Sequence, residues 1–574
     1  MTTIHRRKLS RLLLLGYALT IALTACSRHD DAHKHQQPAR QAAVAMPDAH
    51  AANVAAAILG RGGNAVDAAV AVGFSLAVTY PEAGNIGGGG FMVLYMDGQP
   101  WFLDYREVAP AAAHRDMYLD EDGEVIPDLS FIGHKASGVP GTVAGLWAAH
   151  QRFGTLPWSE LLQPAIDLAA NGFVPHPELA ARAAESVADY GEQTNFAEHF
   201  GRLRASETFV QKDLAEALTR IANEGPKGFY QGETAQLIAA EMQRGGGLIT
   251  LQDLEQYQPV WRKPLLADWR DYRVIASPPP SSGGFAVIQM LKLRDALAAA
   301  FTGLEHNSPQ YIHLLAEIAK RTFADRAEYL GDPDYSDVDV GQLLDDDYVE
   351  RRAAEVNLES ISLIDSVRPG LESRTTTHFS IMDAEGNAVA NTYTVNDWFG
   401  SRVVAAGAGF VMNNQMDDFS VKPGVPNYYG VIGYTANEIQ PGKRMLSSMS
   451  PTILLRGNQV AMVLGAEGGS KIITCVFQTI LNVADFGMSA QQALDQDVFH
   501  HQLLPEDTID YSPGRNPPRE LLDALENKGY ALRKYDWVFG DVQLIVADAD
   551  GLHPASDPQG RGKSVVVEIT GDAQ

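Results

Sequence analysis

Cysteine is nearly absent from this 574-residue chain, which contains two such residues. Two cysteines cannot build the disulfide framework that stabilises small secreted proteins. Cys475 lies in an apolar run, Lys471–Phe477, where a thiol is expected in the core rather than as a nucleophile. The fold must therefore rest on apolar packing, and the length allows three or four domains or one large α/β unit.

Positive charge is also scarce. Lys and Arg number 45 against 71 Asp and Glu, which gives a formal net charge of −26. Nucleic-acid backbones are bound by clustered Lys and Arg, so this composition argues against a nucleic-acid partner. Hydrophobic residues make up 45% and charged residues 20% of the chain, a balance that is typical of globular proteins and excludes global disorder.

The motifs of common cofactor and metal sites are missing as well. The sequence contains no HExxH or CxxC spacing for a metal. The four-glycine run Gly87–Gly90 is not followed by the Lys-Ser/Thr of a phosphate loop and lacks GxGxxG spacing. We therefore expect neither a metal nor an organic cofactor.

Long hydrophobic runs are absent once the N-terminal segment has passed. A basic stretch, His5–Arg11, precedes a largely apolar run from Leu12 to Leu23, and twelve residues are few for a bilayer span. The next residues, Thr24-Ala25-Cys26, complete a pattern that resembles a bacterial lipobox, whose cysteine is lipidated and becomes the mature N-terminus. A short anchor helix with an incidental cysteine is the alternative.

The lipobox pattern predicts how the N-terminal region is organised. Residues 1–25 would be a lipoprotein signal peptide, and residues 26–44 the lipidated Cys26 with a polar tether. Ser27 stands where an Asp would resemble an inner-membrane retention signal. We therefore expect a periplasmic location with anchoring to the outer membrane of a bacterial envelope, through acyl chains that do not span it.

The predicted secondary structure of the chain changes near residue 375. From about 45 to 355 helical patterns dominate, as in Asn64–Thr79 and His313–Leu330, with a strand at Phe91–Tyr95. Residues 376–382 and 388–395 read as two strands around Asp383–Asn387, which is a hairpin signal. Later strands are expected at Gln459–Leu464, Val542–Ala547 and Ser564–Ile569, and later helices at Lys471–Phe486 and Ser489–Gln496.

Six blocks of sequence follow the order found in one enzyme family. They are residues 62–91, Asp104–Glu107, 376–420, Pro441–Pro451, Gly468–Gly469 and Phe499–Gln502. No single block is decisive, but six in order across about 45–565 are highly specific. The chain resembles the γ-glutamyltranspeptidase (glutathione hydrolase) family of N-terminal-nucleophile hydrolases.

The resemblance implies an α+β fold, a four-layer αββα sandwich formed jointly by two chains from one precursor. The precursor would cut itself between Thr375 and Thr376, giving a helix-rich large subunit (45–375) and a strand-rich small subunit (376–574) that pair as a heterodimer. Thr376 would then be the nucleophile. Its freed α-amine, with an ordinary pKa of about 7.7–8.0, can act as the base that a weakly nucleophilic hydroxyl requires.

Other roles are implied position by position. Thr394 matches the threonine that orients the nucleophile, and the N–H groups of Gly468 and Gly469 match an oxyanion hole. A cross-strand threonine pair and a plain glycine turn are the simpler interpretations. The resemblance assigns the substrate carboxylate to Arg106, Ser447 and Ser448, and the substrate ammonium to Asn396, Gln415 and Asp418. A surface salt bridge is the simpler interpretation of Arg106.

Three further features bear on specificity. Residues 423–433 resemble the lid loop of the family, with Tyr429 at the gating aromatic, and this loop favours small γ-glutamyl compounds such as glutathione. Glu467 departs from the small residue or proline usual before the glycine pair. We expect its carboxylate to point away from the oxyanion hole, where it would oppose negative charge. Trp398 is bulky for its place near the binding loop and is expected to narrow the choice of acceptor.

The resemblance implies cleavage of γ-glutamyl amides through a γ-glutamyl-threonine ester. The group would pass to an amino acid or dipeptide acceptor, or to water. One alternative keeps the fold but acts on glutaryl β-lactams or polyglutamate. The other is a non-enzymatic, unprocessed envelope lipoprotein.

Overall fold

The computed structural model describes residues 40–337, 339–362, 376–425, 434–535 and 537–569. The expected signal peptide, Cys26, Thr375 and Tyr429 lie outside the described residues. The described α-helices are α1 (Ala49–Gly60), α2 (Ala65–Thr79), α3 (Thr142–Phe153), α4 (Trp158–Asn171), α5 (Pro177–Tyr190), α6 (Phe196–Phe200), α7 (Lys212–Glu224), α8 (Lys227–Tyr230), α9 (Gly232–Gly245), α10 (Leu251–Gln256), α11 (Gly283–Ala296), α12 (Ala298–Phe301), α13 (Pro309–Tyr329), α14 (Val340–Leu343), α15 (Asp346–Ala354), α16 (Lys471–Ala484), α17 (Ala490–Leu494) and α18 (Arg519–Lys528).

The strands form two large sheets and one small sheet. They are β1 (Arg40–Met46), β2 (Gly89–Met96), β3 (Gln99–Tyr105), β4 (Val260–Arg262), β5 (Leu265–Trp269), β6 (Tyr272–Ala276), β7 (Thr377–Met382), β8 (Ala388–Thr394), β9 (Thr452–Arg456), β10 (Gln459–Gly465), β11 (Phe499–His501), β12 (Thr508–Tyr511), β13 (Ala531–Lys534), β14 (Gln543–Asp548), β15 (Gly551–Ser556) and β16 (Lys563–Ile569). The orders are β16-β1-β7-β8-β2-β3-β4, β15-β14-β10-β9-β6-β5 and β11-β12-β13.

Strand β1 shows how the layers are stacked. Ala42, Val44 and Met46 pack into a core shared with α1 to α4, whereas Ala43 and Ala45 pack into a second core between the two large sheets. Because successive side chains of a strand point to opposite faces, one strand can supply both cores. The second core also takes in residues of α11, α13 and α16 beyond the six-stranded sheet. The expected four-layer αββα sandwich is confirmed.

Helix α2 explains how the helical layer approaches the sheet so closely. The Asn64 side chain accepts hydrogen bonds from the N–H groups of Val66 and Asp67, and the Asp67 carboxylate accepts one from the Asn64 N–H, which completes a capping box. Every residue of α2 is buried. A Cβ on Gly73 would stand 2.7 Å from a methyl carbon of Leu146, so the small residues of this helix allow α3 to pack directly on it.

The hairpin expected around Asp383–Asn387 is present as β7 and β8. Asp383 Oδ1 accepts hydrogen bonds from the N–H groups of Glu385 and Asn387, at 3.0 and 2.9 Å. Gly386 adopts φ +84°, a conformation that glycine takes without strain. The turn residues therefore close the hairpin through local chemistry alone, which is why the sequence pattern predicts it well.

Two sequence expectations need correction. The polar tether expected over residues 26–44 ends earlier, because β1 begins at Arg40 and residues 42–46 are fully buried. The region expected to be mostly helical also supplies β2 to β6, of which the sequence predicts only β2. These strands are short or rich in small residues, so their periodicity is weak. None of the described helices is both long and apolar enough to cross a membrane.

Candidate active site

The β7–β8 register brings the two candidate threonines together. Thr377 pairs with Tyr393 in this antiparallel hairpin, so the same register sets Thr376, one residue earlier, opposite Thr394, one residue later. Thr376 is buried, with 4% of its surface exposed. The Asn396 N–H donates to Thr394 Oγ1 at 2.8 Å. That bond occupies one lone pair of the Thr394 hydroxyl oxygen.

The end of β10, which leads into the glycine pair, lies very close to the first residues of β7. A Cβ on Gly465, the last residue of β10, would lie 2.3 Å from His378 Nδ1, so only glycine allows this approach. Ser380 Oγ also lies within hydrogen-bond distance of two backbone oxygens of the six-stranded sheet, Val463 O at 3.2 Å and Gln543 O at 3.0 Å. The two sheets are thus tied together beside the start of β7.

The turn after β10 has a backbone conformation that requires its two glycines. Gly468 and Gly469 have φ values of +118° and +60°, which L-residues other than glycine rarely adopt. The N–H groups of Lys471 and Ile472 donate to the Gly468 and Gly469 carbonyls, both at 3.1 Å, as α16 begins. Backbone N–H groups at a helix start carry partial positive charge and suit a developing oxyanion.

Arg106 and Asp418 form a buried pair of opposite charges. The Arg106 Nη2 donates to Asp418 Oδ2, and the Arg106 side chain is fully buried while that of Asp418 is 17% exposed. Gln415 Nε2 donates to the same Asp418 oxygen at 2.6 Å. The interpretation of Arg106 as a surface salt bridge is wrong, because burial of an Arg is tolerated only when it is paired.

Burial and pairing with Arg106 shift the pKa of Asp418 in opposite directions. Desolvation raises the pKa of its carboxyl, and the neighbouring Arg106 guanidinium opposes that rise. Glu107 lies on the other side of Arg106, with Oε2 3.7 Å from Arg106 Nη1. Burial raises the pKa of Glu107 to about 8, again against Arg106. One buried guanidinium thus faces two carboxyl groups, of which Asp418 is partly exposed and Glu107 is fully buried.

Ser447 and Ser448 are held by a loop whose role the sequence did not reveal. The Ser447 N–H donates to Pro280 O at 2.9 Å, and the Ser282 N–H donates to Ser447 O at 2.7 Å. The proline-rich segment before Ser282 therefore acts as a rigid support for the serine pair. Its prolines carry no catalytic or charged group, so the sequence indicates only a stiff loop.

Arg326 is the functional candidate that sequence reasoning missed. It lies on α13, where its Nη2 donates to Ser448 Oγ at 3.0 Å and its Nε donates to Ser282 Oγ at 2.8 Å. Its charge also lowers the pKa of Asp418. The segment had been predicted as a helix, but an Arg in a helix carries no local signal that it points into a site. A second buried guanidinium thus joins Arg106.

Asn396 and Asp417 occupy the edge of this site. The Asn396 Nδ2 donates to Asn414 O at 3.0 Å, which ties the loop after β8 to the segment that carries Gln415 and Asp418. Asp417 accepts a hydrogen bond from Ser130 Oγ at 2.6 Å. The geometry joins Asn396, Gln415 and Asp418 in one neighbourhood, as expected for a group that receives an ammonium.

The two unusual residues, Glu467 and Trp398, are linked through Arg182. Glu467 accepts a hydrogen bond from the Tyr80 hydroxyl at 3.4 Å. Burial raises the pKa of Glu467 to about 8, and the charges of Arg182 and Arg561 oppose the rise. The Arg182 guanidinium carbon lies 3.4 Å from the Trp398 ring centroid. The Glu467 side chain thus bonds to Tyr80 and lies near the positive charges of Arg182 and Arg561.

The structure brings predicted residues together in separate groups. Hairpin register joins Thr376 to Thr394, and a separate set of contacts joins Arg106, Asp418 and Gln415. Thr375, Tyr429 and Cys26 lie outside the described residues. Within the ranges that are described, no group of three or more His, Cys, Asp and Glu side chains could hold a metal ion.

Comparison with known proteins places the chain in a family. The model of the gamma-glutamyltranspeptidase family matches residues 51–567. The glutathione hydrolase proenzyme of Pseudomonas aeruginosa is 56% identical over 526 residues, which cover 92% of this chain and 94% of that protein.

Solved structures of similar proteins support the same family. A gamma-glutamyltranspeptidase from Pseudomonas nitroreducens in complex with L-DON is 56% identical, with a TM-score of 0.55, covering 56% of this chain and 96% of that one. A cephalosporin acylase from Bacillus halodurans is 27% identical, with a TM-score of 0.79, covering 92% and 96%. Given this match over nearly its whole length and the arrangement of Thr376, Thr394 and the glycine turn, the chain belongs to the γ-glutamyltranspeptidase family.

Proposed function

We propose that this protein is a self-processing γ-glutamyltransferase and glutathione hydrolase with Thr376 as its nucleophile. One observation carries the proposal. A buried threonine at the start of a central strand faces a second threonine, and the Arg106–Asp418 pair supplies both charges needed to hold a free amino acid head. Family membership and the similarity to glutathione hydrolase proenzymes support it.

Self-cleavage would create the catalyst. The Thr376 hydroxyl oxygen attacks the Thr375 carbonyl carbon, the C–N bond breaks, and the acyl group moves to oxygen as an ester. The hydroxyl proton ends on the Thr376 nitrogen, which becomes a free α-amine in this step. Water then hydrolyses the ester, releasing the Thr375 carboxylate and the Thr376 hydroxyl. That amine is available as a base only after the cut, because an amide nitrogen is not basic.

The turnover reaction uses the same hydroxyl. The α-amine takes the Thr376 hydroxyl proton as its oxygen attacks the γ-carbonyl carbon, and the N–H groups of Gly468 and Gly469 receive the oxyanion. The ammonium then returns the proton to the leaving amine, which leaves a γ-glutamyl ester on Thr376. An acceptor amine or water repeats these steps in reverse order. Oxyanion donors are typically worth about 2.7–4 kcal/mol each.

Recognition is separate from this chemistry. We assign the substrate carboxylate to Arg106, Ser447 and Ser448, with Arg326 behind Ser448, and the substrate ammonium to Asp418, Gln415 and Asn396. Both charges of the pair would exchange their mutual contact for the substrate's opposite charges. This double requirement selects γ-glutamyl compounds such as glutathione as donors, and amino acids or dipeptides as acceptors.

A denaturing gel and a chromogenic assay test the assignment of Thr376. We expect the wild-type chain to separate into two pieces and to release the amine from a γ-glutamyl anilide, faster with a dipeptide acceptor. Thr376→Ala should stay one uncut and inactive chain, while Thr376→Ser, which keeps a hydroxyl, should still cut. Two pieces of the predicted sizes in Thr376→Ala would exclude Thr376 as the self-cleaving residue.

A comparison of two substrates tests the assignment of Asp418 to the substrate ammonium. Asp418→Ala should still be cut into two chains, because self-cleavage acts on the precursor's own peptide bond and does not require a bound substrate. Its kcat/KM for a γ-glutamyl anilide should fall by about 30-fold to several thousandfold, because removing one partner of a buried charge pair costs about 2–5 kcal/mol. The loss should be smaller for a glutaryl anilide, which has no ammonium. Equal losses on both substrates would place the ammonium site elsewhere.

A glutaryl β-lactam acylase is the second candidate function. The similarity to a cephalosporin acylase favours it, and the comparison of anilides separates the two activities. A glutaryl group would leave Asp418 buried without a cation partner from the substrate. The Asp418 carboxylate therefore favours the γ-glutamyl assignment.

We also propose that Cys26 is lipidated and anchors the protein to the bacterial envelope from the periplasmic side. The lipobox-like residues before Cys26 support this assignment. Replacing Cys26 with Ala should move the protein from the detergent phase to the aqueous phase on phase separation. An unchanged partition would contradict the lipid anchor.

A further inference from the structure

One face of α16 is joined to strand β11 by polar side chains. Ser470, Thr474 and Gln478 are spaced four residues apart, so they line a single face of the helix and its first turn. Gln478 exchanges two hydrogen bonds with the Phe499 backbone, at 2.8 and 3.2 Å. Thr474 contacts His500 and Ser470 contacts Gln502. The strand is therefore fastened along the beginning of α16.

The end of this row next to the oxyanion turn forms a closed network. Ser470 Oγ donates to Gln502 Oε1 at 2.6 Å, and His500 Nε2 lies 2.9 Å from the same oxygen. Gln502 Nε2 donates to Leu504 O at 2.7 Å, which fixes Oε1 as the acceptor side of the amide. His500 Nε2 must therefore carry a hydrogen, which leaves Nδ1 as an acceptor 2.8 Å from Thr474 Oγ1. The Thr474 hydroxyl also lies 3.1 Å from Lys471 O, so its one proton has a second, more distant acceptor.

Ser470 is placed to transmit this network to the turn. It directly follows Gly468 and Gly469, which have no side chains to hold their own orientation. Ser470 starts α16, yet its hydroxyl does not cap the helix, and instead it points to Gln502. On the other side of the turn, the Gly540 N–H donates to Glu467 O at 3.3 Å. The two glycines are thus held between fixed neighbours.

We propose that Gln502 and His500 are positioning residues that aim the Gly468 and Gly469 N–H groups at the oxyanion, acting through Ser470. The proposal rests on the function proposed above. Neither side chain touches the reacting atoms. Their effect is to restrict a turn of two glycines to the orientation that fits the transition state, where misplacement by a fraction of an ångström weakens catalysis.

The charge state of His500 agrees with this role. Burial, together with the nearby charge of Lys471, lowers the pKa of His500 well below its ordinary value. The imidazole therefore stays neutral near pH 7, with one donor and one acceptor. A protonated ring would lose the acceptor that Thr474 uses.

Steady-state kinetics on cut protein test the proposal. Ser470→Ala and Gln502→Met should each lower kcat for a γ-glutamyl anilide about tenfold to a hundredfold, with KM changed less than about twofold. Because both changes break one unit, the double variant should be little worse than either single variant. Ser470→Thr, which keeps the hydroxyl, should retain most of the wild-type kcat.

A matched control separates positioning from stability. Asn482 continues the same helix face but binds Ala493 O and His306, away from the turn. Asn482→Ala should lower the melting temperature while leaving kcat unchanged. A boronate analogue of the γ-glutamyl group, which forms a tetrahedral adduct, should bind Ser470→Ala more weakly by the factor lost in kcat/KM, whereas glutamate itself should bind equally well.

Three outcomes would overturn the proposal: an unchanged kcat in Ser470→Ala and Gln502→Met, a rise confined to KM, or an equal loss of kcat in Asn482→Ala. Should Ser470→Ala remain uncut, Thr474→Val, one step further from the turn, carries the test with a smaller expected loss of kcat. A wild-type protein without γ-glutamyl activity would instead refute the proposed function, so the two failures are distinguishable.

Discussion

At the scale of single residues, buried guanidinium groups define how this site recognises charge. Arg326 binds Ser448 and Ser282 from α13, so it supports the hydroxyl assigned to the substrate carboxylate. We expect Arg326→Met to lower kcat/KM for a γ-glutamyl anilide about tenfold to a hundredfold, since a hydrogen bond to a charged group contributes about 1.5–3 kcal/mol. Self-cleavage should persist.

Arg321 offers the control for this prediction. It is equally buried and lies on the same helix, but it binds Glu317 and the Glu355 carbonyl instead of the serine pair. Arg321→Met should reduce the free energy of unfolding without a specific loss of kcat/KM. If both variants lose activity equally, Arg326 contributes to folding rather than to recognition.

At the scale of elements, the four-glycine run is explained by close approach of neighbouring backbones. A Cβ on Gly88 would lie 2.0 Å from the carbonyl oxygen of Thr394, at the end of β8. The backbone cannot shift there without displacing Thr394. We expect Gly88→Ala to cut poorly or to accumulate as insoluble precursor, with a destabilisation of about 1–3 kcal/mol or more.

Gly60 is the matched site for that experiment. It ends α1, and a Cβ there would meet no atom within 4 Å. Gly60→Ala should cut normally and gain a little stability, up to about 1 kcal/mol, because Ala is the better helix residue. Normal cutting and solubility of Gly88→Ala would show that the run is needed for flexibility and not for packing.

At the scale of the whole molecule, the sheet order keeps the two pieces together. Strands β7 and β8 follow the proposed cut, yet they lie between β1 and β2, which precede it. Both neighbours bond to them along antiparallel ladders. We expect the cut chains to elute as one species in gel filtration and to separate only in denaturant. Two native peaks would contradict an interleaved sheet.

Buried ionisable groups make the stability of the molecule depend on pH in both directions. Burial lowers the pKa of His378 to about 3. The unfolded chain therefore binds this proton first, and stability is lost as pH falls from about 6.5 towards 3. Burial raises the pKa of Glu107 and Glu467 to about 8, so their contribution is lost as pH rises from about 4.5 to 8.

Denaturant unfolding across this pH range should give maximal stability between about 4.5 and 6.5. On the acid side of this maximum, His378→Gln should reduce the slope of the free energy of unfolding against pH by up to about 1.4 kcal/mol per pH unit. The reason is that the variant lacks one group that binds a proton more readily in the unfolded chain than in the folded chain. An acid slope that is identical in wild type and His378→Gln would mean that other groups govern the acid transition.

Much of the architecture follows from local signals. The hairpin around Asp383, the helix after Asn64 and the helix after Ser470 were all predictable, because capping, turn chemistry and periodicity act within a few residues. The short strands β3 to β6 were not predicted. Strands β3 and β6 each pair with the strand just before them, but their residues do not alternate strictly between apolar and polar. Strand β4 is only three residues long and pairs with β3, far earlier in the chain.

The sequence by itself determined the family, the four-layer fold class and the expected nucleophile. The reason is that the six ordered blocks and the strong local periodicity can be recognised from the residues alone. Only the tertiary structure decided which residues meet. It brought Arg326 to Ser448, paired Arg106 with Asp418, and set Glu467 beside Tyr80 and near two arginines. These contacts join residues far apart in sequence, and burial then shifts their charge states, so neither the contacts nor their chemistry can be read from residue spacing.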